Sequence, residues 1–239
     1  MKTIKLFTII LFCTSLLQAT KLQAGQTNGS RQTRQITGFH GISVSSGIDL
    51  YLTQKNVEEV VVEANSDDIN NLITKMEGGI LKIYMDDKSW FKLNWNKESR
   101  KVYVSFKTLD KLYASAGSDV ASQSVMNLEN FDLDASSGSD VKLELNALDV
   151  SAESSSGSDI NLKGKANSIQ ANASSGSDIN AAEFQTKKCI ASVSSGADIR
   201  VNVTEQLDAN ASSGGDISYS GNPTKKDINE SSGGGVHER

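Results

Sequence analysis

Apolar residues recur at every second position along most of this chain, the period of a β-strand with one buried face. In residues 36–113 the runs Ile42–Val44 and Ile48–Leu52 flank a turn at Ser45-Ser46-Gly47. Val60–Ala64 is a β-branched run. Ile80–Met85 and Lys101–Phe106 alternate strictly. One stretch breaks the pattern. Asn65 or Ser66 can cap a short helix over Asp67–Met76, with acidic residues at its start and Gly78-Gly79 at its end. Ile69, Leu72, Ile73 and Met76 would share one face of that helix.

From residue 114 onward a single motif organises the pattern. Ser-Ser-Gly-Ser-Asp followed by Val or Ile, or a close variant, begins at Ser45, Ser115, Ser136, Ser155, Ser174, Ser194 and Ser212. A last copy, Ser231-Ser232-Gly233, has lost its Asp. From Gly117 the first glycines are spaced by 21, 19, 19, 20, 18 and 19 residues, which defines an internal repeat. Each repeat carries two alternating runs. One unit reads Ile160, Leu162, then Ile169, Ala171, Ala173. The next reads Ile179, Ala181, Phe184, then Ile190 or Cys189, Ala191, Val193. Two strands per coil, in phase, predict a parallel β-solenoid of about 19-residue coils. A meander of antiparallel hairpins has the same period but needs two alternating turn types. Only one turn here is stereotyped, which favours the solenoid. The fold class is therefore all-β, a solenoid preceded by a β-rich N-terminal part with one short helix.

Composition separates the two halves. Of 34 serines, 25 fall at or after Ser115, whereas only Phe131, Phe184 and Tyr219 of 14 aromatics do. The C-terminal half must close over small side chains, and Ala-rich inward positions meet that need. The chain divides into a signal peptide at 1–24, a flexible leader at 25–35, the β-rich part at 36–113, the repeats at 114–221 and a polar tail or cap at 222–239. The signal-peptide reading rests on Lys2 and Lys5 before the apolar run of residues 6–17, which is too short to span a bilayer core. Cys13 follows Phe12 rather than the small residue a lipidation signal wants. After cleavage Cys189 is the remaining cysteine, without an intrachain partner. No later stretch has the roughly 18 apolar residues of a membrane helix.

The net charge is −5, which argues against nucleic acid as the main partner. Two histidines leave little material for a His-built centre, and the common nucleophile, zinc and nucleotide motifs are missing. The candidate chemistry is elsewhere. Asp119, Asp140, Asp159, Asp178, Asp198 and Asp216 occupy one slot of successive coils and would stack ~5 Å apart. Each can accept a backbone N–H in its own turn, and no metal is expected there. The alternative is a Ca²⁺ ladder, since Ca²⁺ takes six to eight oxygens and serine hydroxyls and carboxylates are both present. Trp90, Phe91 and Trp95, near Lys88, Lys92 and Lys97, are weak candidates for stacking on a sugar ring; a hairpin that buries its own aromatics is the plainer reading.

The ordered set Phe39–Leu50 (F-x-G-I-x-V-x-S-G-I-D-L around the first turn), Val60–Ala64, Gly79–Ile83, Lys101–Phe106 and the S-G-S-D-[IV] array resembles the putative auto-transporter adhesin, head GIN domain family of Bacteroidetes. The resemblance spans about residues 36–220. It implies an exported bacterial protein with a right-handed parallel β-helix-like fold and no catalytic residues to carry over. Three functions follow as expectations. The first is a non-catalytic binding or adhesion module, periplasmic, at the cell surface or secreted, whose partner is a protein or glycan of the cell envelope. The second is a carbohydrate-active enzyme or carbohydrate-binding protein on a β-helix. The third is a structural protein that forms homo-oligomers, because an open solenoid edge invites pairing.

Overall fold

The computed structural model describes residues 29–66, 68–86 and 99–239. Its strands run β1 (Gly29–Arg34), β2 (Gly41–Val44), β3 (Asp49–Gln54), β4 (Glu59–Asn65), β5 (Leu72–Glu77), β6 (Ile80–Met85), β7 (Lys101–Phe106), β8 (Lys111–Ala114) and β9 (Asp119–Ser122). They continue as β10 (Met126–Asn127), β11 (Asn130–Ala135), β12 (Asp140–Ser154), β13 (Asp159–Ala173), β14 (Asp178–Val193), β15 (Asp198–Ala211), β16 (Asp216–Ser220), β17 (Lys225–Glu230) and β18 (Gly235–Glu238). From β12 to β15 each long strand pairs in parallel with the next, almost residue for residue, so that Asp140 meets Asp159 and Ala152 meets Ala171. Parallel pairing throughout the repeats selects the solenoid over the meander.

The N-terminal half belongs to the same stack. β2 and β3 lie in parallel on β8 and β9, and β6 and β7 lie in parallel on β2 and β3. The coil order is therefore not the chain order: β6 and β7 form the outermost parallel coil, β2 and β3 follow, and β8 and β9 join them to the repeats. Three contacts carry the same offset of 70 residues, Ile48 to Ser118, His40 to Asp110 and Thr53 to Gln123. Antiparallel strands close this end. β5 covers β6, β4 covers β7, and β1 covers β4. Such cover blunts an edge that would otherwise offer unpaired backbone groups.

Three expectations change here. The helix over Asp67–Met76 is not formed among the described residues. The Asn65 side chain does accept the Asp68 N–H (2.6 Å), but one turn later the chain enters β5. β-Branched Ile73 and Thr74 suit a strand, and Gly78 and Gly79, both at positive φ (58° and 78°), make the tight hairpin turn that lays β5 on β6. Residues 29–34 form β1 rather than a flexible leader, because β4 offers a free edge. The polar segment after Pro223 builds one more coil from β17 and β18, in register with β15 and β16. Its outer edge carries no further strand among the described residues, and Ile228 there is exposed.

The corner repeats with one geometry. Its second residue, from Ser46 to Ser232, has φ between 50° and 73°, and the glycine after it lies between 66° and 77°. An L-residue in that region costs about 1–2 kcal/mol. Stacking offsets the cost: the Gly157 N–H donates to the Ser175 carbonyl (3.2 Å), and the same bond recurs from Gly138 to Ser156 and from Gly176 to Ser195. The fourth residue points inward. Ser118, Ser139, Ser158 and Ser177 are fully buried. The Ser158 hydroxyl donates to the Ala135 carbonyl of the preceding coil (2.7 Å), and Ser177 donates likewise to Ser154 (2.7 Å). A buried hydroxyl needs a partner, and here it ties adjacent coils together. Between corners the core is narrow, built from rows such as Ala152, Ala171, Ala191 and Ala209, all with no exposed surface. In β14 the inward residue is Cys189, while Ile190 is half exposed.

Candidate functional site

The aspartates that the repeat places in one slot do stand in register, from Asp119 through Asp140, Asp159, Asp178 and Asp198 to Asp216, and Asp49 extends the row by one coil. They begin strands on the outer side of the corner. Burial, then the charges of Asp178 and Asp140, push the Asp159 carboxyl above the ordinary aspartate value, while Lys142 pulls it down. The row is extended rather than convergent: among the described residues no group of three or more His, Cys, Asp or Glu side chains gathers where one ion could sit. The turn is held by the buried serine, whose oxygen accepts the N–H of the first corner residue (Ser155 to Ser158, 3.2 Å).

The raised Asp159 value has a stability consequence. A folded state that holds a proton more tightly than the unfolded chain loses stability as pH rises from the unfolded value through the folded one. Asp159→Asn removes that loss. We expect the variant to melt higher than the parent at pH 7, with the gain vanishing on acidification below the ordinary aspartate pKa of about 3.9. Thermal unfolding of both proteins across pH 3 to 7 checks it, and a lower melting temperature for the variant at pH 7 contradicts it.

On the other side of the corner runs a groove of about 450 Å³ along the solenoid axis. Its outer row is Asp134, Glu153, Asn172, Ser192, Asn210 and Asn229, in register. Its wall is the first serine of each corner, from Ser155 to Ser231. Amides and hydroxyls offer both donors and acceptors at ~4.8 Å intervals, the coil spacing. At one end burial, then the Glu153 charge, raises the Asp134 carboxyl. Two carboxyls side by side on adjacent parallel strands differ from the flanking pair that glycoside cleavage requires, where acid and nucleophile stand across the scissile bond.

Other chemistry is sparse. His40 Nδ1 pairs with Asp110 (2.9 Å) at the rim of a hollow that also includes Thr108 and Glu129. Cys189 is buried, and burial pushes its thiol up to about 12, so it stays protonated and inert at neutral pH. Trp90, Phe91 and Trp95 lie outside the described residues, as do residues 1–28 with the expected signal peptide and Cys13. Sequence reading did not single out Tyr51 and Tyr103, which stack with ring centroids 5.1 Å apart and planes at 18°. Their signal is two tyrosines at corresponding positions of runs 52 residues apart, visible only once the coils are aligned.

Parallel coils, a repeated corner whose Ser-Gly pair lies in the left-handed backbone region, and a strand-capped end define a β-solenoid. Residues 38–223 match the family model described as "Putative auto-transporter adhesin, head GIN domain", and the chain belongs to that family. Its fold is similar to that of a putative adhesin from Bacteroides fragilis, with a TM-score of 0.82 at 20% identity, covering 90% of this chain and 98% of that one. A putative lipid binding protein from Parabacteroides distasonis matches with a TM-score of 0.65 at 20% identity, over 90% of this chain and 98% of that one. A putative adhesin from Parabacteroides merdae follows at 0.64 and 15% identity, with the same coverages. Among curated proteins none matches. Among the described residues no helix is long and apolar enough to cross a membrane.

Proposed function

We propose that this chain is an exported, non-catalytic adhesion module that holds a protein or glycan of a cell envelope along the side of its solenoid. The observation that carries this reading is the groove beside the corner, where the row from Asp134 to Asn229 faces the serines from Ser155 to Ser231. Each coil repeats the same polar groups at the same height. An extended ligand meets them in series, and a corner locked by Ser158 and Ser177 presents them with little ordering cost on binding. Membership of an adhesin family supports the reading, as does the n-region and apolar run that open the sequence.

Fluorescently labelled mature protein, applied to whole bacterial cells and to host epithelial cells, tests it. Retention on at least one of these surfaces is expected, and Asn172→Arg/Asn210→Arg should cut it at least about tenfold, since two bulky charges would fill the groove and each lost hot-spot contact is worth about 2 kcal/mol. No retention on any surface, or full retention by the double variant, contradicts it.

A further inference from the structure

Arg31, Tyr103 and Tyr51 form a stack along the solenoid axis. The Arg31 guanidinium lies over Tyr103, 5.5 Å from its centroid, and Tyr103 lies on Tyr51. The stack then stops. The next residue in this outward row is Ala121, and the one after it is Lys142. Tyr51 and Lys142 are thus two coils apart, ~9.6 Å at the spacing of neighbouring strands. Between them the row has no side chain beyond a methyl group. The result is a slot of about 170 Å³ with Tyr51 as one wall, Ala121 as floor and Lys142 as the far wall. Asp49, Asp119 and Asp140 line its side.

We propose that this slot is a binding site for one neutral sugar ring of a glycan, which continues the stack by laying a face on Tyr51. The charges around it select this class. Three carboxylates along one side disfavour an anionic ligand. Lys142 across from Tyr51 disfavours a guanidinium or ammonium in the position that Arg31 holds at the other end. A neutral polyhydroxylated ring meets both kinds of group: its hydroxyls donate to Asp119 and Asp140 and accept from the Lys142 ammonium. Its axial C–H face packs on the tyrosine ring, whose face is the negative end of the ring quadrupole. Two layers of van der Waals contact, at about 3.5–4.0 Å each, sum to less than the ~9.6 Å between the walls, so one ring fits and two do not. Tyr103 holds Tyr51 from behind, so its face is fixed before the ligand arrives.

The inference rests on the reading of the chain as a binding module, but the slot lies apart from the groove. Free sugars test it without any cell surface. Saturation-transfer NMR on the mature protein would use methyl pyranosides of glucose, galactose, mannose, xylose and N-acetylglucosamine, with methyl galacturonoside and hexa-arginine as charged probes. At least one neutral pyranoside should receive saturation. Tyr51→Ala removes the stacking face, and Ala121→Tyr fills the slot while extending the tyrosine row. Each should reduce the transfer at least about tenfold. Asn172→Arg/Asn210→Arg should leave it unchanged, which separates this site from the groove. No transfer to any neutral pyranoside, or transfer that survives Ala121→Tyr, overturns the proposal. So does Tyr51-dependent binding of hexa-arginine or of the uronoside alone, which would assign the slot to a basic peptide or an acidic sugar.

Discussion

Phe184→Ala should destabilise the protein by about 3–5 kcal/mol, the range for deleting a buried phenylalanine. Phe184 has no exposed surface and lies in β14. In its row the preceding coil contributes Gly164, and the coil before that contributes Leu145. The largest side chain in this part of the core therefore sits beside a position with none. Much of the surrounding interior is built from small side chains such as Ala171, Ala181, Ala191 and Ala209, which cannot reach across to refill the space. The vacated volume stays largely open, which places the loss in the upper part of the range. Chemical denaturation of parent and variant measures it. A loss under 1 kcal/mol would mean that the coils collapse onto one another more freely than their paired backbones allow.

Gly164→Ala should cost about 3 kcal/mol or more, from two sources that add. The backbone at Gly164 has φ of 114°, where an L-residue is strained by about 1–3 kcal/mol. A Cβ there would also lie 2.1 Å from the Leu145 carbonyl oxygen of the adjacent coil. That oxygen belongs to the parallel ladder, so relief requires the coils to move apart, with an overpacking cost of about 1–3 kcal/mol. Gly157→Ala provides the contrast. Its φ is 69°, but a Cβ there meets nothing within 4 Å. It should lose only the conformational preference, about 1–2 kcal/mol. Equal losses for the two variants would contradict the close coil contact at Gly164.

The repeat was legible because its corner is stereotyped: a Ser-Gly pair in the left-handed region, then an inward residue, then an outward Asp. What pattern alone concealed has identifiable causes. The N-terminal coils belong to the same solenoid, yet the period vanishes between Gly47 and Gly117, 70 positions apart, because the strands that cap the end are inserted between them. The stretch that becomes β5 resembles a helix in sequence, since Ile69, Leu72, Ile73 and Met76 have the i, i+3, i+4, i+7 spacing of a helix face; pairing with β6 overrides that spacing. The fourth corner serine reads as one more surface polar group, although it is buried. A hydroxyl hydrogen-bonded to a carbonyl one coil away leaves no trace in local hydropathy. The choice between Cys189 and Ile190 rests on a register shift between Asn161 and Lys163 where β13 pairs with β14. The aspartate row was fully legible. The Tyr51–Ala121–Lys142 slot was not, because it exists only when coils from different parts of the chain are stacked.

The stacking order itself is open to direct measurement. Asp49 and Asp119 are register partners on adjacent parallel coils, whereas Asp140 lies one coil further away. Neighbouring strands are ~4.8 Å apart, and a disulfide bridges Cα atoms usually about 4.4–6.8 Å apart. In a Cys189→Ser background, Asp49→Cys/Asp119→Cys should oxidise to an intramolecular disulfide in the folded protein, located by peptide mass mapping. Asp49→Cys/Asp140→Cys, about two coil spacings apart, should not. A bond in the first pair alone is the predicted result. No bond in the first pair, or equal bonding in both, would contradict a single solenoid in which the first corner of the chain stacks on the corner at Ser115–Gly117.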